Sequence, residues 1–368
     1  MDAYRSTHPT RCGVVPPHLL DRLARTDDDR LALPARRTLE QDALRRTRRE
    51  LTAARTLAAA PPASRSRATA APQRTVHDAE HAERLPGREV RGEGDEPGTD
   101  ASVNRAYAGL GATFTLFWEG FERDSVDGAG LPLDATVHYG EQYANAFWDG
   151  ERMVFGDGDG EVFRDFTLAL DVIGHELAHG VTQYTANLEY YGQSGALNES
   201  VSDVFGSLIK QRELRQTAAQ ADWLIGAELF TDRVQGDALR SMKAPGTAYD
   251  DDVLGRDPQP AHLDDYVHTS SDNGGVHINS GIPNHAFYRL ATALGGHAWE
   301  RAGRIWYDTL TGGTLRPDDG FAAFAGATLA AARARYGGDT GEETEEEKAV
   351  RQAWTDVGVT PGEPAGRG

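Results

Sequence analysis

The sequence predicts an α+β protein of two lobes, β-rich then helical, with a cleft between them and a short helical segment in front. Three observations carry that expectation. Residues 73 to 164 read as strand-like and contain "NAFWDGERMVF", a hairpin candidate whose Asp149-Gly150 suits a tight turn. From 165 onward apolar residues recur at helical spacing over 165–186, 196–212, 281–294, 298–310, 319–336 and 345–356. Gly- and Asp-rich loops, notably 244–275, separate these stretches. Ahead of both, 16–59 holds two helical stretches, followed by "PPASRSRATAAPQ", which buries too little apolar surface to fold and reads as a linker.

The division expected is 1–70 for the leading segment and linker and 71–203 for the β-rich lobe, ending in the helices of the motif below. A helical lobe over 204–358 and a tail over 359–368 complete it. A 368-residue chain, 39% hydrophobic and 26% charged, fits a soluble globular protein. No run of about 18 apolar residues exists, so no membrane span is expected. "MDAYRSTHPTRCGVVPPHLL" lacks the apolar stretch of a secretory signal, which points to the cytoplasm or to export by a leaderless route. A single cysteine, Cys12, excludes an internal disulfide framework.

The net charge of −19 is uneven: residues 1–72 carry 14 arginines and 8 acids, hence +6, leaving −25 on the remaining 296. A nucleic-acid binder puts its positive excess on the main body, and here the body is acidic. The basic segment is instead expected to dock on the rest of its own chain. "DTGEETEEE" near 339–347 reads as a solvated loop and helix start, where acids oppose the positive end of the helix dipole.

"DVIGHELAHGV" (171–181) puts His175 and His179 four apart, hence on one helix face with Cβ atoms about 5–6 Å apart. Two imidazoles so placed can converge on zinc. Glu176, one residue on, points about 100° away round the helix, where it can reach a water and act as general base. The alternative is the polar stripe of an ordinary amphipathic helix. It fits poorly, because Val172, Ile173, Leu177, Ala178 and Val181 make the helix mostly apolar, and buried polar groups need partners. "GALNESVSD" (195–203) offers a third ligand, Glu199, and one turn later Asp203, placed to accept the spare N–H of a bound imidazole.

With these residues in view the chain resembles the thermolysin family of zinc endopeptidases over about 73–358. The resemblance rests on "NAFWDG" (145–150), "MVFGDGDG" (153–160), "HELAHGVTQYTANLEYYGQSGALNESVSD" (175–203), "GDALRSM" (236–242) and "DNGGVHINSGIPNHAFY" (272–288). The leading "CGVVPPHLL" is similar to the protealysin-like branch, whose precursors carry a compact propeptide. The resemblance implies a two-lobed zincin with its zinc site in the cleft, one Zn²⁺ on His175, His179 and Glu199, and Glu176 as base toward a zinc-bound water. It also implies Tyr190 and His277 as oxyanion donors, Asp272 orienting His277, and Asn198 and Asp203 holding the two histidine ligands. Asn145, the Ala146 carbonyl and Arg240 match residues that hold substrate backbone. Phe163, Phe166, Val172, Ile225, Leu229 and Leu239 match the pocket for the residue after the cleaved bond. All six are apolar, so cleavage on the N-terminal side of bulky hydrophobic residues is expected.

One departure concerns calcium. Asp171 and Asp222 match two ligands of the family's double site, but Lys210, Leu224 and Ala227 stand at three others, and none of these can ligate a hard cation. The double site is expected to be absent, leaving at most a single weak Ca²⁺ site near Thr231 and Asp237. A catalytically silent peptide-binding relative would have lost Glu176, Tyr190 or His277, and all three are present. An aminopeptidase would want a Gly-x-Met-Glu-Asn-type element, which neither Met153 nor Met242 provides. The expected partners are peptide or protein substrates and the chain's own propeptide as intramolecular inhibitor, with no nucleic acid, no membrane and a monomer as working unit. Cys12 has two readings, a thiolate in the metal's open position or a packed side chain, of which packing is preferred.

Overall fold

The computed structural model describes residues 13–56, 71–338 and 342–362. The chain opens with two helices, α1 (Pro17–Ala24) and α2 (Asp29–Thr56). Pro17 sits in the first turn of α1, where the N–H it lacks would have no partner anyway, and Leu19, Leu20 and Leu23 bury one face. A five-stranded sheet follows, built from β1 (Arg74–Asp78), β2 (Arg88–Arg91), β3 (Leu133–Val137), β4 (Ala146–Trp148) and β5 (Arg152–Phe155). Its order is β2-β1-β3-β5-β4, with β1, β3 and β5 parallel and β2 and β4 antiparallel at the two edges. The expected hairpin is β4–β5. Only Gly150 takes a positive φ, 97°, while the Asp149 carboxylate accepts from the N–H groups of Glu151 and Arg152.

The strand-like reading of 73–164 needs one correction. Residues 101–115 form a helix, α3 (Ala101–Thr115). Asp100 caps it by accepting from the N–H groups of Ser102 and Val103 at 2.8 and 3.2 Å. Val103, Ala106, Tyr107, Leu110 and Phe114 form its buried stripe. Two glycines and the run "TFTLFW" disguise this helix, since glycine and β-branched or aromatic residues are weak helix formers. Gly109 has a packing reason: a Cβ there would lie 2.5 Å from the Ile173 side chain.

Ile173 belongs to α4 (Leu170–Gln183), which packs against α5 (Gly192–Glu213) through an unusually close backbone approach. A Cβ on Gly206 would stand 2.3 Å from the Asp171 carbonyl oxygen, and one on Gly174 only 3.1 Å from Gly206 Cα. Past α5 come two short paired strands, β6 (Leu224–Ile225) and β7 (Arg240–Ser241), and then α6 (Asp272–Asn279) and α7 (Gly281–Leu294). The last helices are α8 (Ala302–Thr311), α9 (Phe321–Tyr336) and α10 (Glu345–Thr355). Trp306 and Trp354 stack at their centre with ring centroids 5.8 Å apart. Thr344 and Glu347 close a capping box at the acidic start of α10.

Because Gly206 faces main chain rather than a movable side chain, Gly206→Ala should be costly. The expected loss is about 1–3 kcal/mol of unfolding free energy, the usual range for overpacking. Urea denaturation of the two proteins measures it, and an unchanged midpoint would mean that the helices can part without penalty.

Candidate active site

His175, Glu176 and His179 occupy the buried middle of α4, none more than 2% exposed. His175 Nδ1 lies 2.8 Å from Asp203 Oδ1, and His179 Nδ1 lies 2.9 Å from Asn198 Oδ1. The Asn198 amide is fixed in turn by its Nδ2, which donates to the Leu188 carbonyl at 3.0 Å, so its oxygen must face the imidazole. Neutral imidazoles that donate through Nδ1 expose a lone pair at Nε2. The two Nε2 atoms face each other at 3.1 Å. Glu199, from α5, completes the triangle, with its oxygens 3.5 Å from His175 Nε2 and 3.4 Å from His179 Nε2.

Lone pairs and a carboxylate turned toward one point repel unless a cation stands there. A tetrahedral zinc with bonds of about 2.0–2.1 Å keeps its donor atoms about 3.3 Å apart, which the three spacings here match. Among the described residues no group hydrogen-bonds Glu199 Oε2, as expected of an oxygen reserved for a cation. Glu176 also falls within 4.8 Å of both histidines. One of its oxygens, however, accepts from the Trp148 N–H at 2.9 Å, and its other, Oε1, has no hydrogen-bond partner in the described structure.

Burial pushes the Glu176 carboxyl up to about 8. Burial opposes charge on His175 too, but the hydrogen bond and charge of Asp203, helped by Glu199, raise it to about 10. A proton therefore competes with any metal for that imidazole. Glu199 shows the mirror image. Burial works against its charge, and His277, His179 and His175 outweigh burial and hold it well below the carboxylate range.

Across the triangle stand Tyr190 and His277. The Tyr190 hydroxyl donates to Glu199 Oε1 and lies 3.4 Å from His277 Nε2. Asp272 grips His277 twice, through Nδ1 at 2.6 Å and through the main-chain N–H at 2.9 Å. The chain reaches this grip through four consecutive left-handed residues, Asp272 to Gly275, with φ of 52°, 50°, 84° and 78°. Two of the four are not glycine, a strained arrangement of the kind that clusters at functional sites.

Asn145, Ala146 and Arg240 are held by the chain's own N-terminal segment. Val14 N–H donates to the Ala146 carbonyl at 3.1 Å, Val15 N–H to Asn145 Oδ1 at 3.0 Å, and Arg240 Nη1 to the Val14 carbonyl at 3.0 Å. Gly13 pairs antiparallel with Phe147 as an added strand on the β4 edge. Arg240 also forks onto Asp203 through two bonds of 2.8 Å. The six apolar wall positions, Phe163, Phe166, Val172, Ile225, Leu229 and Leu239, are all at most 1% exposed. Cys12 lies outside the described residues.

Sequence reasoning missed two contacts. Asn284 donates to Asp203 Oδ2 at 2.8 Å, and Ser202 Oγ lies 3.0 Å from His179 Nδ1. Ser202 precedes Asp203 and follows Glu199 by three residues, so its helix face could have flagged it. Asn284 comes from a distant helix and gave no such signal. At the expected calcium departure, the Lys210 ammonium stands 3.0 Å from both Asp171 and Asp222 and 3.7 Å from Glu228. Of the other calcium candidates, the Thr231 hydroxyl donates to the Glu161 carbonyl.

Family comparison agrees with this geometry. A thermolysin metallopeptidase catalytic-domain model matches residues 64–183, and the thermolysin metallopeptidase alpha-helical domain matches 186–359. The chain belongs to the thermolysin family. It is a thermolysin-like zinc metalloendopeptidase, with the β-rich and helical lobes of that fold. An extracellular metalloprotease of Pectobacterium carotovorum subsp. carotovorum is 57% identical over 78% of this chain and 81% of its own length. A bacillolysin of Bacillus cereus is 42% identical over 71% of this chain and 44% of its own. The solved precursor of protealysin, a metalloproteinase from Serratia proteamaculans, superposes with a TM-score of 0.83 at 50% identity. It covers 95% of this chain and 100% of that one, so the likeness of this thermolysin relative extends to the N-terminal helices.

The docked segment brings His18 into the cleft, where its Nε2 lies 3.0 Å from the Tyr249 hydroxyl. Burial, followed by the positive charge of His277, lowers its pKa from 6.5 to about 4. An imidazole with a depressed folded-state pKa stabilises docking fully above 6.5 and loses that contribution as pH falls toward 4. The unfolding midpoint of the full chain should therefore fall more steeply between pH 6.5 and 4 than that of His18→Gln. Parallel profiles for the two proteins would contradict this.

Proposed function

We propose that this chain is the autoinhibited precursor of an endopeptidase that cleaves on the N-terminal side of bulky hydrophobic residues. His175, His179 and Glu199 hold the zinc, and the helices beginning at Pro17 act as the propeptide. The observation that carries the reading is the triangle of two facing Nε2 lone pairs and the Glu199 carboxylate, each backed by its own hydrogen bond. When bound, the zinc supplies a Lewis acid that polarises the scissile carbonyl and acidifies a water.

The chain's own groups do the rest. Glu176, with one oxygen pinned by Trp148 N–H and the other without a hydrogen-bond partner among the described residues, takes the proton of the attacking water and delivers it to the leaving amide nitrogen. A carboxyl raised by burial suits both transfers near neutral pH. Tyr190 O–H and His277 Nε2–H face the carbonyl oxygen as it gains negative charge. Donors of this kind are worth about 2.7–4 kcal/mol each. Asp272 raises the pKa of His277 and orients its ring, and Arg240 anchors the carbonyl on the leaving side. Asn145 and Ala146 hold the substrate as an extra strand, and the apolar wall receives the side chain after the cleaved bond. In the precursor the segment around Val14 fills these same places, which supports inhibition by occupancy. Relatives named as extracellular proteases support a working place outside the cell.

Glu176→Ala should abolish cleavage of a quenched fluorescent peptide yet retain one zinc per chain by elemental analysis, whereas His179→Ala should lose the metal as well. A Glu176→Ala protein with a tenth of wild-type turnover would sink the general-base role.

The Lys210 ammonium already stands among Asp171, Asp222 and Glu228, so added calcium finds a cation in its place there. The thermal midpoint should move by less than about 2 °C between chelated and millimolar calcium, since a ligand stabilises only in proportion to its binding. A large rise at micromolar calcium would reveal a tight site elsewhere.

A further inference from the structure

We infer that Asn284 is a positioning residue for the zinc site, acting on His175 through Asp203. This rests on reading His175 as a zinc ligand. Asp203 takes four donors, two on each oxygen. Oδ1 accepts from His175 Nδ1 and from Arg240 Nη2, each at 2.8 Å. Oδ2 accepts from Arg240 Nε and from Asn284 Nδ2, again at 2.8 Å. A carboxylate offers about four lone-pair sites, so Asn284 fills the last of them. The donors come from α4, β7 and α7, while Asp203 itself belongs to α5. All four residues are at most 1% exposed.

The chemistry of the fourth donor is specific. The charge of Asp203 already meets that of Arg240, and a second cation at Oδ2 would draw the carboxylate away from His175. An apolar side chain would leave a buried lone pair without a donor. A neutral amide completes the set and adds no charge. Its orientation follows, since the amide turned over would set its oxygen against Asp203 Oδ2. Asn284 Oδ1 has no hydrogen-bond partner among the described residues. A buried amide is costly unless its polar atoms are used, and the use shown here is the bond to Asp203.

Asn284 is also the stiffer of the two arms on Oδ2. Arg240 reaches Asp203 on a long stem from a two-residue strand, whereas Asn284 reaches it on one methylene from a 14-residue helix. Where Oδ2 is pinned, Oδ1 is pinned against His175. Helix bonds run through the join of α6 and α7, from Ser280 N–H to the Val276 carbonyl at 3.2 Å and from Asn284 N–H to the Ser280 carbonyl at 3.0 Å. His277 and Asn284 therefore lie about two turns apart on one face. On α5 their counterparts Glu199 and Asp203 lie about one turn apart. His277 Nε2 stands 3.6 Å from Glu199 Oε2. One helical arm thus meets both α5 carboxylates, and Asn284 is its hydrogen-bonded rung.

Zinc affinity of the full chain tests this, read by competition with a fluorescent chelator. The dissociation constant of Asn284→Leu should rise about three- to tenfold, less than the 10–100-fold typical of a group that touches a ligand directly. Asn279→Ala is the control. Asn279 is 0% exposed on the same arm, but its amide is spent on the Val267 main chain at 2.9 and 3.0 Å. Its loss should leave the zinc constant at the wild-type value. In an Asp203→Asn background Asn284→Leu should add nothing, because the partner it acts through is already gone. Circular dichroism establishes folding, and Asn284→Ala is read if the leucine variant does not fold. Independently of any variant, the Asn284 side-chain amide resonance of the wild-type chain, stripped of metal, should move as zinc is restored. An unchanged zinc constant in a folded variant, an equal loss in the Asp203→Asn background, or an amide signal indifferent to zinc would overturn the inference. A wild-type chain that binds no zinc would instead overturn the metal site beneath it.

Discussion

The backbone contact between α4 and α5 at Gly174 and Gly206 is the constraint on which the centre depends. Two helices with side chains at their crossing sit 8–10 Å apart. Here glycine lets main chain meet main chain, 2.3 Å being all that separates a built Gly206 Cβ from the Asp171 carbonyl. That approach carries Glu199 to within 3.5 Å of both histidine nitrogens and puts Asn198, Ser202 and Asp203 on the far sides of the same imidazoles. The contacts of the two imidazoles with Asn198, Ser202 and Asp203 are therefore α4–α5 contacts, and Ile173 against Gly109 ties the pair to α3 and the sheet behind it.

In the described part of the N-terminal segment, attachment rests on short-range contacts as well as charge. A segment of +6 facing a body of −25 points to docking by long-range attraction. The described contacts include main-chain hydrogen bonds along β4, apolar burial of Val14, Leu19, Leu20 and Leu23, Arg22 on two carbonyls, and Arg37 4.0 Å from Glu141. One ion pair even runs against the charge balance, since Asp28 of the segment meets Arg233 of the body. Net charge concerns encounter and solubility. Short-range fit is a separate matter, which charge totals do not describe.

Much of the centre was legible because its information is local. His175, Glu176 and His179 share one helix turn, and Glu199 and Asp203 share another, so spacing alone placed them. The hairpin at 145–155 and the helices from 281 onward were visible for the same reason. The α3 helix was not, because Gly109 and the β-branched run argue against a helix until Ile173 is known to need the space. Asn284 on Asp203 and Arg240 on the Val14 carbonyl join residues more than eighty positions apart in the chain, and no periodicity encodes such a meeting. Family resemblance supplied Tyr190, His277 and Arg240, whose roles no local pattern could have assigned.

Lys210 shows what it means to build a counter-ion into the chain. A buried carboxylate such as Asp171 needs a counter-charge close by, and Lys210 supplies one at 3.0 Å, beside the exposed Asp222 and Glu228. A dissolved ion does so only in fluids that contain it, with an occupancy that follows its concentration. The ammonium of Lys210 is bound by a covalent stem, so its occupancy is independent of dilution and of the ionic composition outside. It also arrives with the helix that carries it, which makes the counter-charge to Asp171 part of folding itself rather than a later encounter.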